Sequence, residues 1–432
     1  MTTLVIPITN NQTSDTPANL QVKVQFNALT YKTQLAADLG NIRLYSDDDL
    51  TSPLYGWVES GASNTATNTV FWVLIPSVIP AGSTLLIYMT FLSTSTEYDG
   101  NYWGQAPQLS GTYGQYDNGA NVFPFYDNFA GTALNSRWTV SGITYTVNNG
   151  FTATVTAAEG YIISKALALN PATHVLDFYG TNFQTASTYW TAVGMLDGGE
   201  NGGTSGSGLG SMIVAGYPSA SQTNGWQRNS TSGLQTSGAM QTAQAAAIWT
   251  VEPTAPSSTN FYINYGGLQT VSAYADTYPL YEGLVSAGAA DTPYTFSVPV
   301  AVTWFRVRLY PPNGVLPSTS VVSIATPRPP MIINRYHVIE TISNPVYTTG
   351  GMTYSSTELS VITDAHVIEL VLPSGTDLRI AQVTLTHSMP GGETLAPNQI
   401  VIAFFDIENG VLVEAEALTY YGVQISIIMN GW

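Results

Sequence analysis

Apolar and polar residues alternate with a period of two through much of the chain. Leu4, Ile6 and Ile8 interleave with Val5, Pro7 and Thr9, and Val22, Val24 and Phe26 with Gln21, Lys23 and Gln25. That period places one class of residue on each face of a half-buried strand. Further strand-sized runs cover Ile42 to Tyr45, Leu54 to Val58, Val70 to Ile75 and Thr84 to Phe91, separated by Asp, Ser, Gly and Pro turns. The spacing predicts a β-sandwich, with one short helix near Thr33 to Asp38.

A new β-unit is predicted to open at FPFYDNFAGTALNSRWTV, Phe123 to Val140. Alternating stretches from Tyr145 to Val155 through to Val300 to Leu309 predict about nine strands, which two sheets packed face to face would bury. Trp138 is expected in that core. Beyond TPRPP, a segment that favours extended backbone, a third set of strands runs to a final apolar stretch, Gln424 to Trp432. This tail reads as a core strand, with an edge strand or subunit contact as the alternative. The expected fold class is all-β: tandem β-sandwiches of jelly-roll or concanavalin A-like type with a third, small C-terminal β domain. The expected divisions are 1–97, a Gly/Tyr-rich connection 98–122, 123–325, a Pro-rich linker 326–330, and 331–432 as a possible assembly domain.

Composition changes the picture of the surface. The 432 residues exceed what one hydrophobic core usually supports. Only 9% are charged, whereas 44% are hydrophobic, so the chain should fold but cover itself with hydroxyls, amides and phenols. The net charge of −17 reflects 11 Lys and Arg against 28 Asp and Glu. Basic patches for phosphate backbones are missing, which argues against nucleic-acid partners. Few bases also limit self-repulsion in acid, which suits an acidic extracellular setting as well as a neutral one. Cysteine is absent, so stability must come from burial and sheet ladders. No signal-peptide pattern follows Met1 and no apolar run reaches membrane-spanning length. A surface-type composition starting at Met1 without a signal suggests a protein that leaves the cell inside a virus particle; a truncated chain is the alternative.

NIRLYSDDDLTSPLYGWVESG (Asn41 to Gly61) and TVFWVLIPSVIPAGSTLLIYMTF (Thr69 to Phe91) carry a resemblance. Through Trp57, Glu59, Trp72, Pro76, Pro80, Gly82, Ile87 and Tyr88, the stretch is similar to a functionally unassigned β-sandwich module near the N-termini of archaeal and bacterial surface proteins. Leu74 stands where that module often has Lys, and Phe91-Leu92 replaces its terminal Tyr-Gly. DNFAGTALNSRW resembles the opening of the concanavalin A-like (lectin- or glucanase-type) sandwich that often follows it, and FRVRLYPPNGVLPS its closing strands. The resemblance covers roughly residues 1 to 325. It implies a fold and a surface location, but no reaction.

Candidate chemistry is sparse. Asp47, Asp48 and Asp49 lack the spacing of a calcium loop and read as a solvated turn, so calcium is unsupported and no cofactor is expected. The histidines, His174, His337, His366 and His387, are dispersed, and a metal centre is not expected. Glycoside hydrolysis needs two carboxylates across a cleft, yet no E-x-D-x-E strand occurs. No G-x-S-x-G elbow occurs either, and no catalytic residue is assigned. Aromatic side chains are the better lead, because their flat faces stack on sugars and fill interfaces. Among Trp249, Tyr262, Tyr265, Tyr274, Tyr278, Tyr281 and others, the preferred glycan-binding set is Tyr189, Trp190 and Trp226, with Asp197 and Glu200 in a Gly-rich loop. Asn11-Gln12-Thr13 and Asn229-Ser230-Thr231 match the glycosylation sequon.

The function expected is therefore non-enzymatic: a structural and recognition protein on a virion surface, of spike, turret or fibre type, from an archaeal virus. It would contact host-surface glycans or glycoproteins, assemble as a homo-oligomer with other virion subunits, and neither bind nucleic acid nor enter a membrane. The alternatives are a polysaccharide-degrading glycoside hydrolase on the same sandwich, or an extracellular cell-surface filament or adhesin subunit.

Overall fold

The structure, a computed structural model, describes residues 2–155, 159–164, 166–170, 173–182, 189–196, 209–216, 221–229, 233–241, 245–255, 258–272, 281–288 and 299–323, and the strands of a further unit between 336 and 431. The chain divides into two compact units, Met1–Ala325 and Thr326–Trp432.

Two pairs of sheets build the first unit. One sheet joins Thr2–Thr9, Thr84–Phe91 and Ile42–Tyr45, and the short strands Ser318–Thr319 and Val322–Ser323 return late in the chain to pair with Thr2–Thr9. Its partner has the order Leu20–Phe26, Thr69–Ile75, Gly56–Ser60, Trp103–Gln105. Between them lie Leu4, Ile6, Ile8, Val22, Val24, Phe71, Ile87 and Met89, the residues the alternation selects. The predicted helix near Thr33 to Asp38 is absent: a 3-10 turn occupies Ala28–Tyr31 and turns follow it. Buried Asn41 holds this loop, its Oδ1 accepting from the Ala36 N–H at 2.8 Å and its amide donating to the Gln34 and Leu92 carbonyls. Helical backbone would need those same groups within the segment.

The second pair of sheets is larger. The first runs Ile143–Val147, Phe151–Val155, Val300–Leu309, His174–Thr181, Ala247–Ala255, Ser258–Ile263, Gly266–Val271, with Phe125–Asp127 also beside Val300–Leu309. The second runs Gly233–Gln241, Thr223–Asn229, Leu209–Ala215, Tyr189–Leu196, Tyr281–Gly288, Glu159–Ser164, Trp138–Ser141. Phe125, Phe129, Trp138, Phe151, Phe178, Val193, Ile213, Trp249 and Phe305 fill the space between. Trp138 packs there as expected, and the all-β, tandem-sandwich fold class holds.

Among its described residues the second unit has a three-stranded sheet and a four-stranded one. Its final strand, Gln424–Gly431, lies between Tyr336–Ser343 and Ile362–Val371. The tail is thus a central strand of its sheet, with both of its backbone edges paired.

Candidate functional site

Charged side chains collect where the two sandwiches of the first unit meet. The strand Val300–Leu309 turns Phe305 and Val307 into the central core, so Trp304, Arg306 and Arg308 point out of its other face. Against that face lie Trp57 and Glu59 of Gly56–Ser60, Trp72 of Thr69–Ile75, and Lys23 of Leu20–Phe26. Trp57, Trp72, Ala106, Val122, Phe123, Tyr126 and Trp304 form a buried cluster of their own. Trp57, Glu59 and Trp72, three positions carrying the N-terminal resemblance, all stand in this junction.

Arg306 is its centre, fully buried. Its guanidinium lies 2.7 Å from Glu59 and 2.9 Å from Asp177, and is ringed by Trp57, Trp72, Phe123 and Trp304 with ring centroids 4.5–5.4 Å away. Asp177 also takes Arg308 at 3.0 Å and the Thr250 hydroxyl at 2.6 Å. Glu59 Oε2 accepts from the Trp72 indole at 2.8 Å. A third donor comes from a strained place. Asn264 and Tyr265 form a two-residue hairpin turn, both with positive φ, which is costly for a ring-bearing residue. The turn lets the Tyr265 hydroxyl take an Arg306 N–H and donate to Glu59, each at 2.5 Å.

The electrostatics follow from that packing. Burial works to raise the Asp177 carboxyl, but Arg308 and Arg306 outweigh it and hold it below the usual carboxylate range. Burial alone would lower Arg306; Tyr265, Glu59 and Asp177 instead keep it above its ordinary value. Lys23, 4.0 Å over the Tyr265 ring, is lowered by burial. Beside Arg308, burial raises Glu252, to which Tyr262 is bonded. These carboxylates are committed to protein donors.

A second concentration of polar groups lines an open cavity of about 530 Å³ over Asp117, Tyr126, Asp127, Asn128 and Asn135 to Arg137. Asp117 accepts from the Trp57 indole and the Gly119 N–H through one oxygen, and from the Tyr126 hydroxyl and the Asn128 amide through the other. Glycine is required at 119, because a Cβ there would stand 2.5 Å from the Tyr126 ring. Asp127 pairs with Arg137 at 2.9 Å and accepts from the Trp138 indole at 2.6 Å. Both carboxylates of this cavity are thus saturated from within, and the cavity presents no acid–base pair aimed at a substrate.

The sequence-selected aromatic set falls elsewhere. Tyr189 and Trp190 open the strand Tyr189–Leu196, and Trp226 lies in Thr223–Asn229; their side chains lie outside the described residues, as do Asp197 and Glu200 entirely. In register, Trp226 faces Met212 and Met212 faces Gly194. Trp226 is therefore level with a position four residues from Trp190, on the order of 13 Å along the sheet, and the backbone does not bring the two together. Trp249 is core, Tyr265 belongs to the ion centre, and Tyr274 and Tyr278 lie outside the described residues. Asp47 caps its own turn through the Thr51 and Ser52 N–H groups. Among the described residues no group of three or more His, Asp or Glu side chains could hold a metal ion, and no helix is long and apolar enough to cross a membrane. Sequence reasoning missed the Arg306 centre. Its signal was the pair Arg306 and Arg308 on the outward face of an otherwise apolar strand, in a chain with so few bases.

No family model matches the chain. It is 40% identical over 128 residues, 30% of its length, to "Uncharacterized protein 562" of Sulfolobus islandicus rod-shaped virus 1; the match spans 22% of that protein. Among solved structures, similarity extends to a β-1,3-glucanase from Mycobacterium marinum (TM-score 0.32, 17% identity, 43% of this chain and 98% of that one) and to the Emp47p carbohydrate recognition domain (TM-score 0.32, 6% identity, 42% and 93%). Scores this low carry no assignment, and the fold class rests on the strand order above.

Proposed function

We propose that the chain is a non-enzymatic structural and recognition protein of an archaeal virus, displayed on the virion surface and contacting host-surface glycans. The observation that carries the viral part is the 40% identity to a protein of a rod-shaped virus of Sulfolobus. Two features support the non-enzymatic part: Glu59 and Asp177 neutralise buried arginines, and Asp117 and Asp127 are saturated by protein donors. The 1–97 and 123–325 regions then act as one rigid presenting body, and the 331–432 region as the assembly domain. Glycan contact is assigned to Tyr189, Trp190, Asp197, Glu200 and Trp226.

Peptide mass spectrometry and immunogold labelling of purified virions test the location; absence of the chain from intact particles refutes it. On a glycan array, Trp190→Ala and Trp226→Ala should abolish binding, and undiminished binding removes these residues from the site. Release of reducing sugars from host envelope polysaccharide would make the chain an enzyme.

A further inference from the structure

Two asparagines stand side by side after the first strand, and the fold treats them in opposite ways. Asn10 is fully buried. Its amide lies within hydrogen-bonding distance of the Ser14, Ile79 and Pro80 carbonyls, and its Oδ1 accepts the Gln12 N–H at 3.1 Å. It fastens the loop to the body of the sandwich. Asn11 is turned outward and exposed, as is Thr13. The Asn11 amide donates a 2.9 Å bond to the Ser318 hydroxyl, also at the surface.

Asn11-Gln12-Thr13 is a glycosylation sequon. We infer that Asn11 is an N-glycosylation site, taking a glycan from a lipid-phosphate-linked donor. The residue that would be ruined by a sugar, Asn10, lies outside the acceptor position; the residue in that position is free of core contacts. In the reaction the Asn11 Nδ2 displaces the lipid phosphate from the anomeric carbon of the first sugar. A C–N bond forms, the sugar C–O bond breaks, the electron pair leaves with the phosphate, and the one proton that the amide gives up ends on that departing phosphate. Nδ2 retains its other N–H, enough to keep the bond to Ser318. The loop is held on both sides, by Asn10 below and by the pairing of Ile8 and Thr9 with Thr319 and Ser318 beside it, so the glycan would be carried at a defined place. It would also hydrate a surface that has few charges to do so.

The inference goes beyond the recognition role and does not depend on it. It requires only that the chain meets a membrane-bound glycosyltransferase. The test uses full-length chain made in its natural host. Glycopeptide mass spectrometry should find the Asn11 peptide heavier by whole sugar residues, Asn11→Gln and Thr13→Ala should lose that mass, and Thr13→Ser should keep it. The Asn229 peptide is measured separately, since it carries the second sequon. An unmodified Asn11 peptide, or sugar on the Asn229 peptide alone, overturns the inference. Asn11→Gln should leave tryptophan emission and circular dichroism unchanged, because Asn11 contributes nothing to the core.

Discussion

Asp177 is fully buried and Asp117 half-buried in the first unit, and the two carboxylates are stabilised by different means. Asp177 meets two guanidinium groups and a hydroxyl. Asp117 meets only neutral donors, an indole, a phenol, an amide and a backbone N–H. For Asp177 the arginines overcome desolvation and hold the carboxyl low. For Asp117 desolvation wins over four hydrogen bonds and the carboxyl is raised. Hydrogen bonds alone can position a carboxylate partly withdrawn from water, but here only opposite charge makes the ionised form comfortable. The Arg306 centre is therefore a junction built on charge pairing, and the Asp117 site a pin built on polarity.

The largest effect should come from taking charge out of the junction. Arg306→Met leaves Glu59 and Asp177 buried with less compensation, and should cost about 3–5 kcal/mol. Tryptophan emission during denaturant unfolding of the full chain checks this, because Trp57, Trp72, Trp138, Trp249 and Trp304 are all buried in the first unit. Adding Glu59→Gln and Asp177→Asn to Arg306→Met should recover part of the loss, since the penalty belongs to the stranded carboxylates. A triple variant no more stable than the single one would show that the cost is lost packing against the four aromatic rings instead.

A smaller effect is expected at the pin. Asp117→Asn replaces one oxygen with an amino group that faces two donors, so it should cost about 1–3 kcal/mol. If Asp117→Asn proves as damaging as Arg306→Met, the distinction between charge pairing and polar pinning fails.

How far these sites were legible in the sequence follows from their range along the chain. Strands such as Ile42–Tyr45 and Thr84–Phe91 can be read from alternation because the pattern is local. The stretch from Phe123 to Val140 also declared itself, and Asp127, Asn128 and Trp138 now have partners within it. Arg306 and Asp177 are 129 residues apart, and Tyr265 and Glu59 are 206 apart. No window of sequence contains both halves of either contact. The helix expected near Thr33 and absent from the fold has a similar cause: Asn41 collects the loop through a bond to Leu92, 51 residues on. Tyr265 at positive φ breaks the local preference for Gly or Asn in such a turn, and the reason lies wholly in its distant partners.

The smallest and most diagnostic effect is the pH dependence of the two carboxylates. Asp177 is depressed in the folded state, so its contribution is present above the unfolded value, about 3.9, and is lost as pH falls through the folded value. Asp117 is raised, so its contribution is fully present below the unfolded value and is lost as pH rises through the folded one. Stability measured for wild type, Asp177→Asn and Asp117→Asn between about pH 3 and pH 7 should thus show two opposite trends, each at most about 1.4 kcal/mol per pH unit. The gap between wild type and Asp177→Asn should narrow in acid, because protonation removes from the wild type what the variant already lacks. The gap between wild type and Asp117→Asn should widen in acid, because protonation relieves the wild type of a desolvation cost that the variant never carried. Trends of the same sign would mean that neutral donors and guanidinium groups stabilise these two charges equally well, and the contrast between the two regions would be lost.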